Sequence, residues 1–237
     1  MDKLTGIESI DNYIGSIGGN KENILGIWET GSFLENISDE FSDRDFIIVW
    51  QNSVPNAEIR LKVANNSGFD IHEIKDVASI GQSFDLFFDG KFLFNIGHAT
   101  KEKKKKWQDT ITGEKIPSDI EEILMSISAL NSAKIYFQKD NWVDNLKKEV
   151  QLTEEFRQKI IDHYKSKTGV DLKLLEKSTS RKDVIQFMHY LEKVLRALQI
   201  IYLLENNKPI ISSKKFEERF AKVENGEITN LIRKITF

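Results

Sequence analysis

Asp43 and Asp45 stand two positions apart at the mouth of the apolar run Phe46 to Val49, and Gly31-Ser32 closes an earlier apolar run about a dozen residues upstream. In a strand, side chains two positions apart share a face, so the spacing predicts that the two carboxylates project together while Arg44 points the other way. Paired carboxylates at a strand mouth suit a hard divalent cation. Magnesium takes oxygen ligands, and its protein sites use one or two carboxylates while substrate phosphates complete the octahedron. The Gly-Ser pair supplies the other half of such a site. Gly31 lets backbone approach a phosphate, Ser32 offers a hydroxyl, and a helix starting at Phe33 would aim its first amides at the anion. Phosphate on one side and metal on the other make a nucleotide site.

The order of strand, Gly31-Ser32, short helix, Asp39-Glu40-Phe41-Ser42-Asp43-Arg44-Asp45 and hydrophobic strand resembles the signature of the DNA polymerase beta-like nucleotidyltransferase superfamily. Within it, the chain is most similar to the small bacterial enzymes that adenylylate antibiotics such as aminoglycosides and lincosamides. The resemblance spans these residues, and it departs where many relatives carry a further glycine and this chain has Leu34, Glu35 and Asn36. It implies Mg2+ held by Asp43 and Asp45, ATP or another nucleoside triphosphate as co-substrate, and a small-molecule hydroxyl as acceptor. A strand-edge Asp pair capping a turn, beside a glycine that merely ends a strand, is the plainer reading of the same residues.

Asp85 lies among Phe84, Leu86, Phe87 and Phe88. A carboxylate inside such a strand costs free energy unless it meets a cation or hydrogen bonds. Facing Asp43 and Asp45 from a neighbouring strand would satisfy it, and an exposed edge position is the other possibility. The resemblance implies a third carboxylate of this kind, which completes the metal site or takes the acceptor's proton. It also implies a lysine near the C-terminus that reaches the nucleotide phosphates, for which Lys214 or Lys215 is the candidate. A lysine on a solvated first helical turn reads the same way. His72, His98, His163 and His189 show no metal-ligand spacing, and no Gly-x-Ser-x-Gly or Walker-type loop occurs.

The elements that must position these residues follow from periodicity. Thr5-Gly6-Ile7-Glu8 has the form of a capping box, and Ile7, Ile10, Ile14 and Ile17 recur at helical spacing before Gly18-Gly19. Ile24 to Glu29 reads as a first strand and Phe46 to Val49 as a second. Ala57 to Val63 fits helix and strand equally, and Phe69 to Val77 reads as a third strand. Ser83 to Phe88 and Lys91 to Ile96, joined at Asp89-Gly90, form a hairpin closing the same sheet. Beyond the basic cluster Lys101 and Lys103 to Lys106, itself a solvated face or a phosphate contact, strand signals largely vanish. Helices are expected over Ser118–Ser132, Asn141–Val150, Thr153–Ser166, Arg181–Leu204 and Ser212–Val223. Phe187, Leu191, Leu195, Leu198 and Tyr202 would form the apolar stripe of the longest.

The expected fold class is α+β: a mixed β-sheet nucleotidyltransferase domain with flanking helices over residues 1–115, then an all-α helical bundle over 116–237. The chain's 237 residues, 40% hydrophobic and 30% charged, are those of a globular protein with a substantial core. No apolar run approaches the ~20 residues of a membrane span, and the N-terminus lacks a signal-peptide core. With no cysteines, the expectation is a cytoplasmic protein, monomeric or homodimeric. A net charge of −3 opposes a broad nucleic-acid grip, which needs a basic surface. The function expected is transfer of a nucleoside monophosphate, AMP from ATP, to a small-molecule hydroxyl, an antibiotic being one candidate acceptor. The alternatives are transfer to protein or RNA, or a non-catalytic nucleotide-binding or interaction module of the same fold.

Overall fold

The apolar runs of the first hundred residues pair with one another into a single sheet, to which one later strand returns. In the computed structural model, residues 5–17, 21–40, 42–77 and 82–212 are described. The elements in chain order are α1 (Glu8–Ile17), β1 (Ile24–Thr30), β2 (Arg44–Trp50), α2 (Ala57–Asn66), β3 (Asp70–Val77), β4 (Gln82–Phe88), β5 (Leu93–Thr100), α3 (Lys101–Thr112), α4 (Ile120–Ser132), β6 (Lys134–Gln138), α5 (Trp142–Glu149), α6 (Glu154–Ser180) and α7 (Val184–Glu205). The strands form a mixed six-stranded sheet in the order β3-β4-β5-β2-β1-β6. β2 and β5 run parallel and every other neighbouring pair antiparallel. The fold class is therefore α+β, with a helical C-terminal region.

One face of the sheet is covered by α1 and α2. Ile10, Tyr13, Ile14 and Ile17 of α1 pack with Ile27, Phe46, Ile48, Trp50, Phe87, Phe94 and Ile96 of the strands and Ala64 of α2. The start of α1 differs from the expected capping box. Thr5 Oγ1 accepts the amide of Ile7 at 3.1 Å, and Asp11, one turn beyond Glu8, reaches back to the Thr5 amide at 2.7 Å. Ala57 to Val63 resolves as helix, started by Asn56, whose side chain accepts the Ile59 amide. The Asp89-Gly90 hairpin forms as expected. Asp89 Oδ1 accepts the amides of Lys91 and Phe92 at 3.0 and 2.8 Å, and Gly90 takes a φ of 88°, which costs glycine nothing.

On the other face, the basic cluster becomes the start of α3. Lys104 is buried with its ammonium 3.7 Å from the Trp107 ring centre and 5.7 Å from that of Trp28. It is a core cation over aromatic faces and not part of a solvated stripe. Val143 of α5 packs against Gly26 on the same side, so closely that a methyl group at Gly26 would collide with it.

The chain divides into two compact units, residues 1–109 with 129–150 and residues 110–128 with 151–237. The single break expected at 115/116 does not capture this division, because β6 carries residues 134–138 back to pair with β1. A five-residue strand between two helices leaves too short an alternation to stand out from helical sequence. In the second unit, α6 runs to Ser180, well past the expected end at Ser166, and packs along α7. The buried face of α7 is Val194, Ala197, Ile200, Ile201, Leu203 and Leu204, while Leu195 and Leu198 are 37% and 49% exposed. α7 is apolar on more than one side, and the stripe read from the sequence is not the one that packs. The Gly18-Gly19 stop and the helix expected beyond Ser212 lie outside the described residues.

Candidate functional site

β1 and β2 are antiparallel neighbours with Thr30 opposite Asp45, so the residue that follows β1 meets the start of β2. Gly31 has a φ of 88°, and the Oδ2 atom of Asp45 stands where a Cβ on Gly31 would go. Any side chain at position 31 would expel the carboxylate. The glycine is required twice, by its backbone angle and by this contact. Residues 31–36 form a run of turns in which the amide of Glu35 donates to Gly31 O and that of Ile37 to Ser32 O. The helix expected from Phe33 does not form. Asn36 adopts a φ of 54° and interrupts the right-handed geometry. Ser32 is buried at 8% exposure, while Asp43, directly before β2, and Asp45 are half-buried.

The turn is held from the opposite face of β2. The Arg44 guanidinium carbon lies 5.6 Å from each ring centre of Phe33, Phe46 and Phe92. Its Nε donates to Glu29 Oε1 at 2.8 Å. Glu29, 1% exposed, also accepts the Tyr136 hydroxyl on Oε2 at 2.7 Å. Arg44 thus joins the turn carrying Ser32 to β1, β2 and, through Glu29, β6. Burial and the bond to Glu29 together raise the Tyr136 phenol above its ordinary value.

Asp85 does not belong to this site. In the register, Asp85 faces Ile96 of β5 and Ile96 faces Phe46 of β2, whereas Asp45 faces Asn95, which faces Leu86. Directly paired residues share a sheet face and neighbours in sequence alternate, so Asp85 lies with Phe46 on the side away from Asp45. It is fully buried there, and its apolar strand position is satisfied by protein groups. Arg60 Nε donates to both of its oxygens at 3.0 Å, Tyr13 donates its hydroxyl at 2.8 Å, and His98 Nε2 stands 2.9 Å away. Arg60 also reaches Asp76 Oδ1 at 2.8 Å and Pro55 O at 2.6 Å. This network ties α1, α2, β3, β4 and β5 together, which corrects the expectation of a third metal ligand.

The side chain that does face Asp45 from the neighbouring strand is Asn95, whose Nδ2 donates to Asp45 Oδ1 at 2.9 Å. Sequence reading missed it. A single Asn within the run Phe92 to Ile96 gives no signal until the β2–β5 register is known. Among the described residues, no group of three or more His, Asp or Glu side chains is placed to hold a metal ion. Asp45 stands at the start of β2 and Asp43 just before it, both carboxylates of the hard-oxygen type that magnesium takes as ligands. Lys214 and Lys215 lie outside the described residues.

No family model matches the chain, and no curated protein matches it. Among solved structures it is similar to a nucleotidyltransferase-like protein from Exiguobacterium sibiricum 255-15, at 11% sequence identity and a TM-score of 0.44. That similarity covers 86% of this chain and 59% of the other, so the chain spans about three fifths of its neighbour's length. No helix among the described residues is long and apolar enough to cross a membrane.

Proposed function

We propose that the junction of Gly31-Ser32 with Asp43 and Asp45 is a nucleotide site, and that the protein transfers AMP from ATP to a hydroxyl of a small molecule, an antibiotic being one candidate. The observation that carries this reading is the contact of Asp45 Oδ2 with the Cα side of Gly31. It brings the small-residue turn and one carboxylate of the pair recognised in the sequence together.

In this reading Asp43 and Asp45 hold Mg2+, which when bound neutralises charge developing on the triphosphate and orients in-line attack. Gly31 keeps the approach to the turn free of a side chain, and the Ser32 hydroxyl holds the outer phosphates. The acceptor oxygen attacks the α-phosphorus, the bond from that phosphorus to the α–β bridging oxygen breaks, and pyrophosphate leaves. The acceptor's proton passes to solvent, since Asp85 is on the far face. The net charge of −3 favours a small acceptor over nucleic acid.

A second reading has an observation of its own. Asn95 is an amide where a carboxylate facing Asp45 would stand, which favours a module that holds a nucleotide without transferring it. Incubating the protein with Mg2+ and each labelled nucleoside triphosphate, across a panel of hydroxylated antibiotics, separates the two. Pyrophosphate release that disappears in Asp43→Ala and Asp45→Ala, with melting temperature retained, supports transfer. ATP binding without release on any acceptor supports the second reading, and absence of ATP binding refutes both.

A further inference from the structure

α7 has two apolar faces, and its packing buries one of them. The other runs through Val184, Met188, Leu191, Leu195 and Leu198, with Val184 70% and Met188 57% exposed and Ile185 beside them 84% exposed. The intervals along it are 4, 3, 4 and 3 residues, and Tyr202 extends it by a further 4. That is the heptad repeat of a coiled coil, with Met188, Leu195 and Tyr202 at its a positions and Val184, Leu191 and Leu198 at its d positions. Such a stripe is complementary to itself, because a two-fold axis sets each knob against a hole of the same repeat. α7 is already held as a helix along α6, so a second copy has nothing to order before it binds.

The size of the seam sets the strength of the contact. From Val184 to Tyr202 it is about 27 Å long, and half the girth of a helix about 10 Å across gives on the order of 400 Å² per copy. Two copies together would bury on the order of 800 Å², the scale of a transient contact and short of the ~1,200–2,000 Å² of a stable one. The orientation follows from charge. Between residues 184 and 202, Glu192 is the one charged residue at the e and g positions that flank the seam. Antiparallel helices would bring its two copies together near the centre, whereas in parallel helices it lies beside Phe187 of the second copy.

We propose that the outward face of α7 is a docking surface for a second copy of this chain, paired in parallel as a short two-stranded coiled coil, and that the protein exchanges between monomer and dimer.

Sedimentation equilibrium of the full chain between about 10 μM and 1 mM tests it. The wild-type average mass should climb from 27.4 kDa toward twice that value. Leu195→Glu changes an exposed position, so the melting temperature should be kept while the dissociation constant rises at least about 10-fold. The chain has no cysteine, which makes an introduced thiol unique. Leu198→Cys should join to its own copy as a disulfide under mild oxidation, and Lys193→Cys, exposed on a different side of α7, should not. A wild type that stays monomeric at the highest concentration, or a Leu195→Glu that associates as well as wild type, overturns the dimer. A monomeric wild type with a lowered melting temperature in Leu195→Glu overturns it too, by showing that the stripe is covered from within one chain. Cross-linking of Leu198→Cys no faster than that of Lys193→Cys overturns the parallel pairing.

Discussion

His98 donates its Nε2 proton to Asp85 across 2.9 Å, because its other ring nitrogen, 3.1 Å from Trp50 Nε1, must accept the indole proton. Trp50 can only donate, so the tautomer is fixed by its partner. His98 is fully buried, and burial holds its imidazole below the ordinary 6.5, with Asp85 pulling the other way. The folded state therefore prefers the neutral ring. Since the unfolded chain binds the proton more readily, stability is full above about pH 6.5 and is lost as the pH falls from there through the lower folded value. Urea midpoints should fall between pH 7.5 and 5.5 in wild type, and fall less in His98→Gln. Parallel pH profiles in the two proteins would remove His98 as the cause.

Asp85→Asn should unfold the protein easily and not act on chemistry. The exchange leaves the buried Arg60 guanidinium without its main counter-charge, a loss of about 3–5 kcal/mol for a broken buried pair. Denaturation with and without Mg2+ should show the same deficit. A variant of normal stability and no activity would return Asp85 to the active site.

Gly31→Ala combines strain with collision. Holding alanine at a φ of 88° costs about 1–3 kcal/mol, and the new methyl must displace Asp45 Oδ2. ATP binding should therefore fall more than the stability loss explains. Wild-type affinity for ATP in Gly31→Ala would show that the Gly31–Asp45 contact is not part of the nucleotide site.

Tyr136→Phe removes one hydrogen bond to the buried Glu29 carboxylate, worth about 1.5–3 kcal/mol for a charged acceptor. Arg44→Leu should cost more and should also loosen the turn at Phe33. Proteolysis within residues 31–40 should rise in Arg44→Leu and stay at the wild-type rate in Tyr136→Phe. Equal cleavage of both would place the restraint on the turn elsewhere.

The Gly31–Asp45 junction was legible because it is local. Both residues sit at the adjoining ends of two strands linked by residues 31–43, and an antiparallel pair brings such ends together whatever the rest of the sheet does. Asp85 was not legible, since its face depends on the registers of β4 on β5 and β5 on β2, and a slip of one residue in either reverses the answer. Its partner Arg60 was hidden in a segment with no clear period, where a buried cation reads as a surface residue. Asn95 depended on the same registers as Asp85. The stripe on α7 misled because a helix apolar on several sides leaves the packed face to its neighbours.

Tyr136 and the Glu29 it bonds are 107 positions apart, and they stand on neighbouring strands. β1 is thus an interior strand whose second neighbour is translated last of all the sheet. At roughly 5–20 residues per second, a ribosome needs about 5–20 s to make the intervening chain. During that interval the β1 edge from Gly26 to Glu29 offers unpaired amides and carbonyls beside an apolar surface, a template for pairing with another nascent chain. The vulnerable moment of this protein's biosynthesis is set by β6, and codon changes that slow translation of residues 50–134 should lower its soluble yield more than equal delays placed after residue 150.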